Sequence, residues 1–122
     1  MPKEESFFIN RVKSVGFALR GALLLIRTEA SIKVQVGIAV IMTFAGFYFN
    51  ISNTEWAIQI LTIAAILGAE GLNTAIEKVA DFIQPEFDKK IGIIKDVSAG
   101  AVMLISIAAS IIGFIIYIPK IF

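Results

Sequence analysis

Residues 97–118 read VSAGAVMLISIAASIIGFIIYI, a run without a single charged side chain. Wound as a helix at about 1.5 Å per residue, this run covers about 33 Å, enough to cross the hydrocarbon core of a bilayer. Two other stretches, residues 34–50 and 56–69, are equally free of charge but shorter. They reach spanning length by running into interfacial residues: Lys33 and Ser52 around the first, Asn53 and the 70–76 segment around the second. The expected spans are residues 32–51, 54–76 and 97–118. Between the first two, Asn50-Ile51-Ser52-Asn53-Thr54 reads as a tight loop in which Ser52 or Asn53 caps the following helix. Tyr48 and Trp56 flank it, where interfacial aromatics belong.

The composition agrees. Of 122 residues, 57% are apolar and 17% charged, and a single domain of this size has too little interior to hide that much apolar surface from water. A soluble enzyme is excluded, and the expected fold is an all-α integral membrane protein, one domain over residues 1–122. Histidine and cysteine are both absent. That removes Ser-His-Asp and Cys-His catalysis, His- or Cys-based zinc sites, iron–sulfur ligation and disulfides. Chemistry falls to carboxylates, Lys, Arg, Asn and hydroxyls, with an oxygen-seeking ion such as Mg²⁺ as the natural cofactor. The net charge of +1 favours no class of partner, and nucleic acid is not expected.

Charge placement orients the chain. Residues 1–33 carry Lys3, Arg11, Lys13, Arg20, Arg27 and Lys33; Lys78, Lys89, Lys90 and Lys95 lie between the second and third spans. The 50–55 loop has no basic residue and the C-terminal end only Lys120. The positive-inside rule places the N-terminus and the 78–96 segment in the cytoplasm and the C-terminus outside. No secretory signal is visible, because the apolar run at 21–26 is short and lacks a cleavage pattern. Residues 6–27 instead read as an amphipathic helix: Phe8, Val12, Val15, Leu19, Ala22 and Ile26 share one face, while Lys13, Arg20 and Arg27 form a basic stripe on another. This is the pattern of a helix lying on an anionic membrane surface; packing against a partner is the competing explanation. Pro85 and Gly92 among mixed charges mark residues 78–96 as a cytoplasmic loop.

The candidate chemistry gathers at the end of the second span. Glu70, Asn73, Glu77 and Asp81 follow one another at +3, +4 and +4, which puts them within about 80° of arc on one helix face. Glu70 follows fourteen uncharged residues and so sits at or just inside headgroup level, where a charge is costly and points to function. Such a stripe suits Mg²⁺, which takes one or two protein carboxylates and leaves other positions to water and phosphate. A carboxylate free of metal can act as general base toward a hydroxyl. The competing explanation is a solvated polar helix end. Glu29, in Arg27-Thr28-Glu29, and Lys95-Asp96 fall at the same interface. No GxxxxGK[ST] motif is present, and Gly68-Ala69-Glu70-Gly71 lies within a helix and forms no phosphate loop.

The combination Glu70-Gly71-Leu72-Asn73-Thr74-Ala75-Ile76-Glu77, then Asp81, then Lys95-Asp96-Val97-Ser98-Ala99-Gly100-Ala101-Val102, resembles the signature of the prokaryotic diacylglycerol kinase family. These are small trimeric integral-membrane lipid kinases that include the undecaprenol kinases. The resemblance spans surface helix, Arg-Thr-Glu junction and three spans. It implies an inner-membrane enzyme that transfers the ATP γ-phosphate to the primary hydroxyl of a lipid, from sites shared between subunits of a homotrimer. It implies Glu70 as general base, Asn73 placing the hydroxyl and phosphate, and Glu29 and Glu77 holding Mg²⁺. Lys95 would neutralise the transferred phosphoryl group and Asp96 would contact the nucleoside. Diacylglycerol, giving phosphatidic acid, is the expected acceptor and undecaprenol the alternative. Two positions depart from the pattern: Phe17-Ala18 stands where some members have Tyr-Ser, and Gly92-Ile93-Ile94 where Gly-Arg-Ala is common. Both remove polar groups near the nucleotide.

Two non-enzymatic functions fit the same topology less well. A small channel or transporter subunit requires polar residues along the bilayer centre, whereas the span centres here carry no charge. A structural or regulatory subunit would use the acidic face to bind a partner.

Overall fold

The computed structural model describes residues 6–122, so Lys3 of the N-terminal basic cluster lies outside the described residues. Helices α1 (Phe7–Thr28), α2 (Ala30–Tyr48), α3 (Asn53–Ile83) and α4 (Lys89–Ile121) make up an all-helical chain. Helices α2, α3 and α4 are each long and apolar enough to cross a membrane.

Local signals account for each boundary. The Ser6 hydroxyl accepts from the Ile9 amide and starts α1. Glu29 alone separates α1 from α2: its extended backbone (φ −100°, ψ 118°) breaks the helix, its N–H closes α1 onto the Leu25 carbonyl, and its carbonyl receives the Lys33 amide at 3.1 Å. After α2 the chain reverses through Asn50, whose φ of 52° is a left-handed conformation that asparagine tolerates. Of the two expected caps it is Ser52 that starts α3. It forms a reciprocal box with Glu55, each side chain accepting from the other residue's amide.

The expected loop over 78–96 is a different structure. Helix α3 runs to Ile83 and α4 begins at Lys89, so only residues 84–88 lie between helices. Charge ends an apolar stretch but not a helix, whose backbone bonds are internal and indifferent to the surrounding solvent. The break falls instead at Pro85, which lacks an amide proton, and at Asp88, whose carboxylate accepts from Lys90 and Ile91. Gly92 sits inside α4.

Helix α4 packs mainly on α3, and α2 joins them less extensively. The tightest packing is beside the α2–α3 turn, where Ile51, Ile116 and Tyr117 are buried against Met42, Ala45, Phe49, Trp56 and Ile112. Gly46 belongs there by necessity, because a Cβ at that position would stand 2.6 Å from the Trp56 ring. A polar knot ties the three helices together. Gln59 of α3 donates to the Met42 carbonyl of α2 at 3.0 Å, and Tyr117 of α4 donates to Gln59 Oε1 at 2.6 Å. Lys120 and Glu55 add an ion pair at 3.0 Å between α4 and α3. At the opposite end of the bundle the buried residues are Ile32, Glu70, Thr74, Ala80 and Ser98, and most of these are polar.

Candidate functional site

The site is built on the half of α3 farthest from the turn. Glu70 is only 8% exposed, and Thr74 on the next turn is buried as well. The C-terminal end of α1 reaches α3 beside Glu70 through Leu25: a Cβ on Gly71 would lie 3.1 Å from Leu25 Cδ1. Leu25 is the residue whose carbonyl closes α1 at Glu29, so this contact and the α1–α2 joint are one local structure.

One turn below Glu70, Asn73 Nδ2 donates to Glu77 Oε1 at 3.3 Å, which orients both side chains. Asn73 Oδ1 is buried with no hydrogen-bond partner among the described residues. A buried carbonyl oxygen without a donor is unusual and calls for one, or for a cation. Glu70, Asn73 and Glu77 thus form one face, as their spacing predicts.

Two ion pairs connect this face to the other elements. Lys78 Nζ of α3 lies 3.4 Å from Glu29 Oε1 at the α1–α2 joint. Lys95 Nζ of α4 pairs with Asp81 Oδ1 of α3. Glu29 and Lys95 are thereby brought to α3 at the same end of the bundle, through partners that no sequence motif indicates. Asp96, next to Lys95 and exposed, is not brought into contact: it has no side-chain hydrogen bond or ion pair with a described residue.

The donor set suits a hard divalent cation. Glu29 and Glu77 offer carboxylate oxygens and Asn73 a free amide oxygen, all of the oxygen type that Mg²⁺ prefers. Among the described residues no three carboxylates converge on one point. A closed protein cage is not what Mg²⁺ requires when phosphate oxygens and water complete its shell.

A lateral groove of about 610 Å³ opens between α2, α3 and α4. Its lining is almost wholly apolar and runs from Phe49 and Tyr117 at the turn end to Gln35 and Leu67, one helical turn from Glu70. On α1, Arg11 lies over the Phe7 ring and Arg20 over the Phe17 ring, each at 5.6 Å from the centroid. Phe17, at one of the two departures from the motif pattern, is therefore the rest for an arginine.

Comparison with known proteins bears on this arrangement. The family model described as prokaryotic diacylglycerol kinase matches residues 16–117. The undecaprenol kinase of Bacillus subtilis (strain 168) is 35% identical over 108 residues, which cover 88% of each chain. The diacylglycerol kinase of Synechocystis sp. (strain ATCC 27184 / PCC 6803 / Kazusa) is 29% identical over 111 residues, 90% of this chain and 63% of that protein.

Proposed function

The chain belongs to the prokaryotic diacylglycerol kinase family, and on that premise we propose that it is a Mg²⁺- and ATP-dependent kinase acting on the primary hydroxyl of a membrane lipid. The observation that carries the proposal is the Glu70–Asn73–Glu77 face: a buried carboxylate on a membrane span, one turn from an amide oxygen that lacks a donor.

In this mechanism Glu70 takes the proton of the lipid hydroxyl as its oxygen bonds to the γ-phosphorus, and the bond from the γ-phosphorus to the bridging oxygen breaks to release ADP. Asn73 places the hydroxyl: the N–H of Nδ2 not given to Glu77 donates to the hydroxyl oxygen and leaves its single proton to Glu70. Glu29 and Glu77 hold Mg²⁺, which when bound supplies positive charge to the nucleotide phosphates. Lys95 exchanges Asp81 for the transferred phosphoryl group, and Asp96, free of protein partners, receives the nucleoside. The apolar groove ending near Leu67 admits the lipid tail sideways from the bilayer. Phosphoryl transfer demands mainly positioning and charge stabilisation, so a few side chains on rigid helices suffice.

Of the two acceptors, undecaprenol is favoured by the relative of that name, whose identity of 35% against 29%, and match over 88% against 63% of its own length, exceed those of the diacylglycerol kinase. Diacylglycerol, expected first as the family's named activity, is kept as the alternative acceptor. The further elements of the proposal are an inner-membrane location with N-terminus and site in the cytoplasm, α1 lying on the anionic surface through its basic stripe, and a homotrimer with shared sites. The low burial along the whole described chain gives association of copies a physical motive.

The test is purified protein in mixed micelles with Mg-ATP and either undecaprenol or diacylglycerol, beside Glu70→Gln. Lipid phosphate from wild type, lost in Glu70→Gln with fold and oligomer intact, is the expected result. Absence of product from both lipids overturns the kinase assignment, and product from diacylglycerol alone overturns the acceptor preference.

A further inference from the structure

Lys78 has no place in the mechanism above. It follows Glu77 on α3, and its ammonium sits 3.4 Å from an oxygen of Glu29, one of the two carboxylates assigned to Mg²⁺. The Lys78 side chain is 69% exposed and that of Glu29 25% exposed. A pair this open to water is weak and easily exchanged. An ammonium and a divalent cation on one carboxylate repel each other, so an ion arriving at Glu29 loosens the hold on Lys78 and favours its release. The released ammonium keeps its four-carbon stem anchored one residue from Glu77 and stays at the site. The anion that arrives with the ion is a polyphosphate, whose oxygens are strong acceptors for it. Lys95 and Asp81 repeat the arrangement on the α4 side, so each of these cations at the site is held by a carboxylate before any ligand binds.

We propose that Lys78 is an exchangeable counter-ion: it neutralises Glu29 in the ligand-free site and transfers to a nucleotide phosphate when metal and nucleotide enter. The proposal rests on the assignment of Glu29 as a metal ligand. It has a consequence that a merely structural ion pair does not share. Removing the ammonium relieves competition for Glu29, so a free divalent cation binds more tightly. The same removal takes a donor from the phosphates, so nucleotide binds more weakly. The two affinities move in opposite directions.

The experiment measures both on purified protein in micelles: Mn²⁺ alone by electron paramagnetic resonance, and a non-hydrolysable ATP analogue with Mg²⁺ by calorimetry. Lys78→Met is expected to tighten Mn²⁺ and to weaken the analogue, each by on the order of threefold to tenfold. Lys78→Arg, which keeps the charge, is expected to stay near wild type in both. Circular dichroism melting verifies that the fold is kept. Affinities that move together in Lys78→Met, or do not move, overturn the exchange. Glu29→Gln separates the two levels: if it leaves Mn²⁺ binding unchanged, the assignment of Glu29 fails and the exchange falls with it. If it abolishes Mn²⁺ binding while Lys78→Met has no effect, the exchange alone fails.

Discussion

Asn73 and Glu77 are joined at 3.3 Å by the amide nitrogen of one and a carboxylate oxygen of the other, and the join commits the remaining Asn73 oxygen to a buried position without a donor. A side chain in this state costs stability that a donor or cation brought to it recovers.

Asn73→Leu therefore separates activity from stability. Removing a buried, unsatisfied acceptor leaves stability unchanged or raises it by up to about 1 kcal/mol, while removing the amide that places the lipid hydroxyl lowers turnover by at least about tenfold. Thermal unfolding and lipid phosphorylation on the same preparation check the pair of outcomes. A variant that loses stability in step with activity contradicts the role given to Asn73.

At the contact of α1 with α3, Gly71→Ala and Gly71→Val differ in kind. The alanine Cβ meets only the mobile end of Leu25 at 3.1 Å, and rotation of that methyl accommodates it at little cost. Valine adds branches in the same space and drives α1 off α3 beside Glu70. Lipid phosphorylation is expected to survive the first change and to fall in the second, with Leu25→Ala restoring part of it.

At the turn end, Gly46→Ala forces a methyl to within 2.6 Å of the Trp56 ring, a rigid neighbour. The expected loss of stability is about 1–3 kcal/mol, read by denaturant unfolding in micelles. Trp56→Leu in the same chain should recover part of it.

Tyr117→Phe takes the donor from Gln59 Oε1 while leaving the ring in place. The buried amide oxygen then stands unpaired, at a cost of about 0.5–2 kcal/mol. Adding Gln59→Leu should cost less than the sum of the two single changes. Additive losses in this double-mutant cycle would show that the two side chains do not act as a unit.

The positions of α2, α3 and α4 and the shared face of Glu70, Asn73 and Glu77 were legible in advance, because both depend on short-range periodicity. A charge-free run sets where a helix can meet lipid, and steps of three and four set which side chains align. The ends of α3 and α4 were misjudged for a related reason: hydropathy detects the membrane boundary, and these helices continue past it until Pro85 and Asp88 supply a backbone reason to stop. The pairing of Lys78 with Glu29 and of Lys95 with Asp81 was hidden because each partner sits on a different element. Their meeting depends on how helices cross, which composition does not encode. Gln59 was the one overlooked signal within reach, a polar side chain inside an apolar span that needed a partner somewhere.

Glu29 is a carboxylate at the site and also the whole of the joint between α1 and α2. No spacer residue absorbs strain there, so two torsion angles of one residue set the direction in which α1 leaves the bundle. Any tilt of α1, whether imposed by bilayer thickness, lipid charge or a neighbouring molecule, must pass through the backbone that carries this carboxylate. The direction of α1 and the placement of the Glu29 carboxylate are thus fixed by the same two torsion angles.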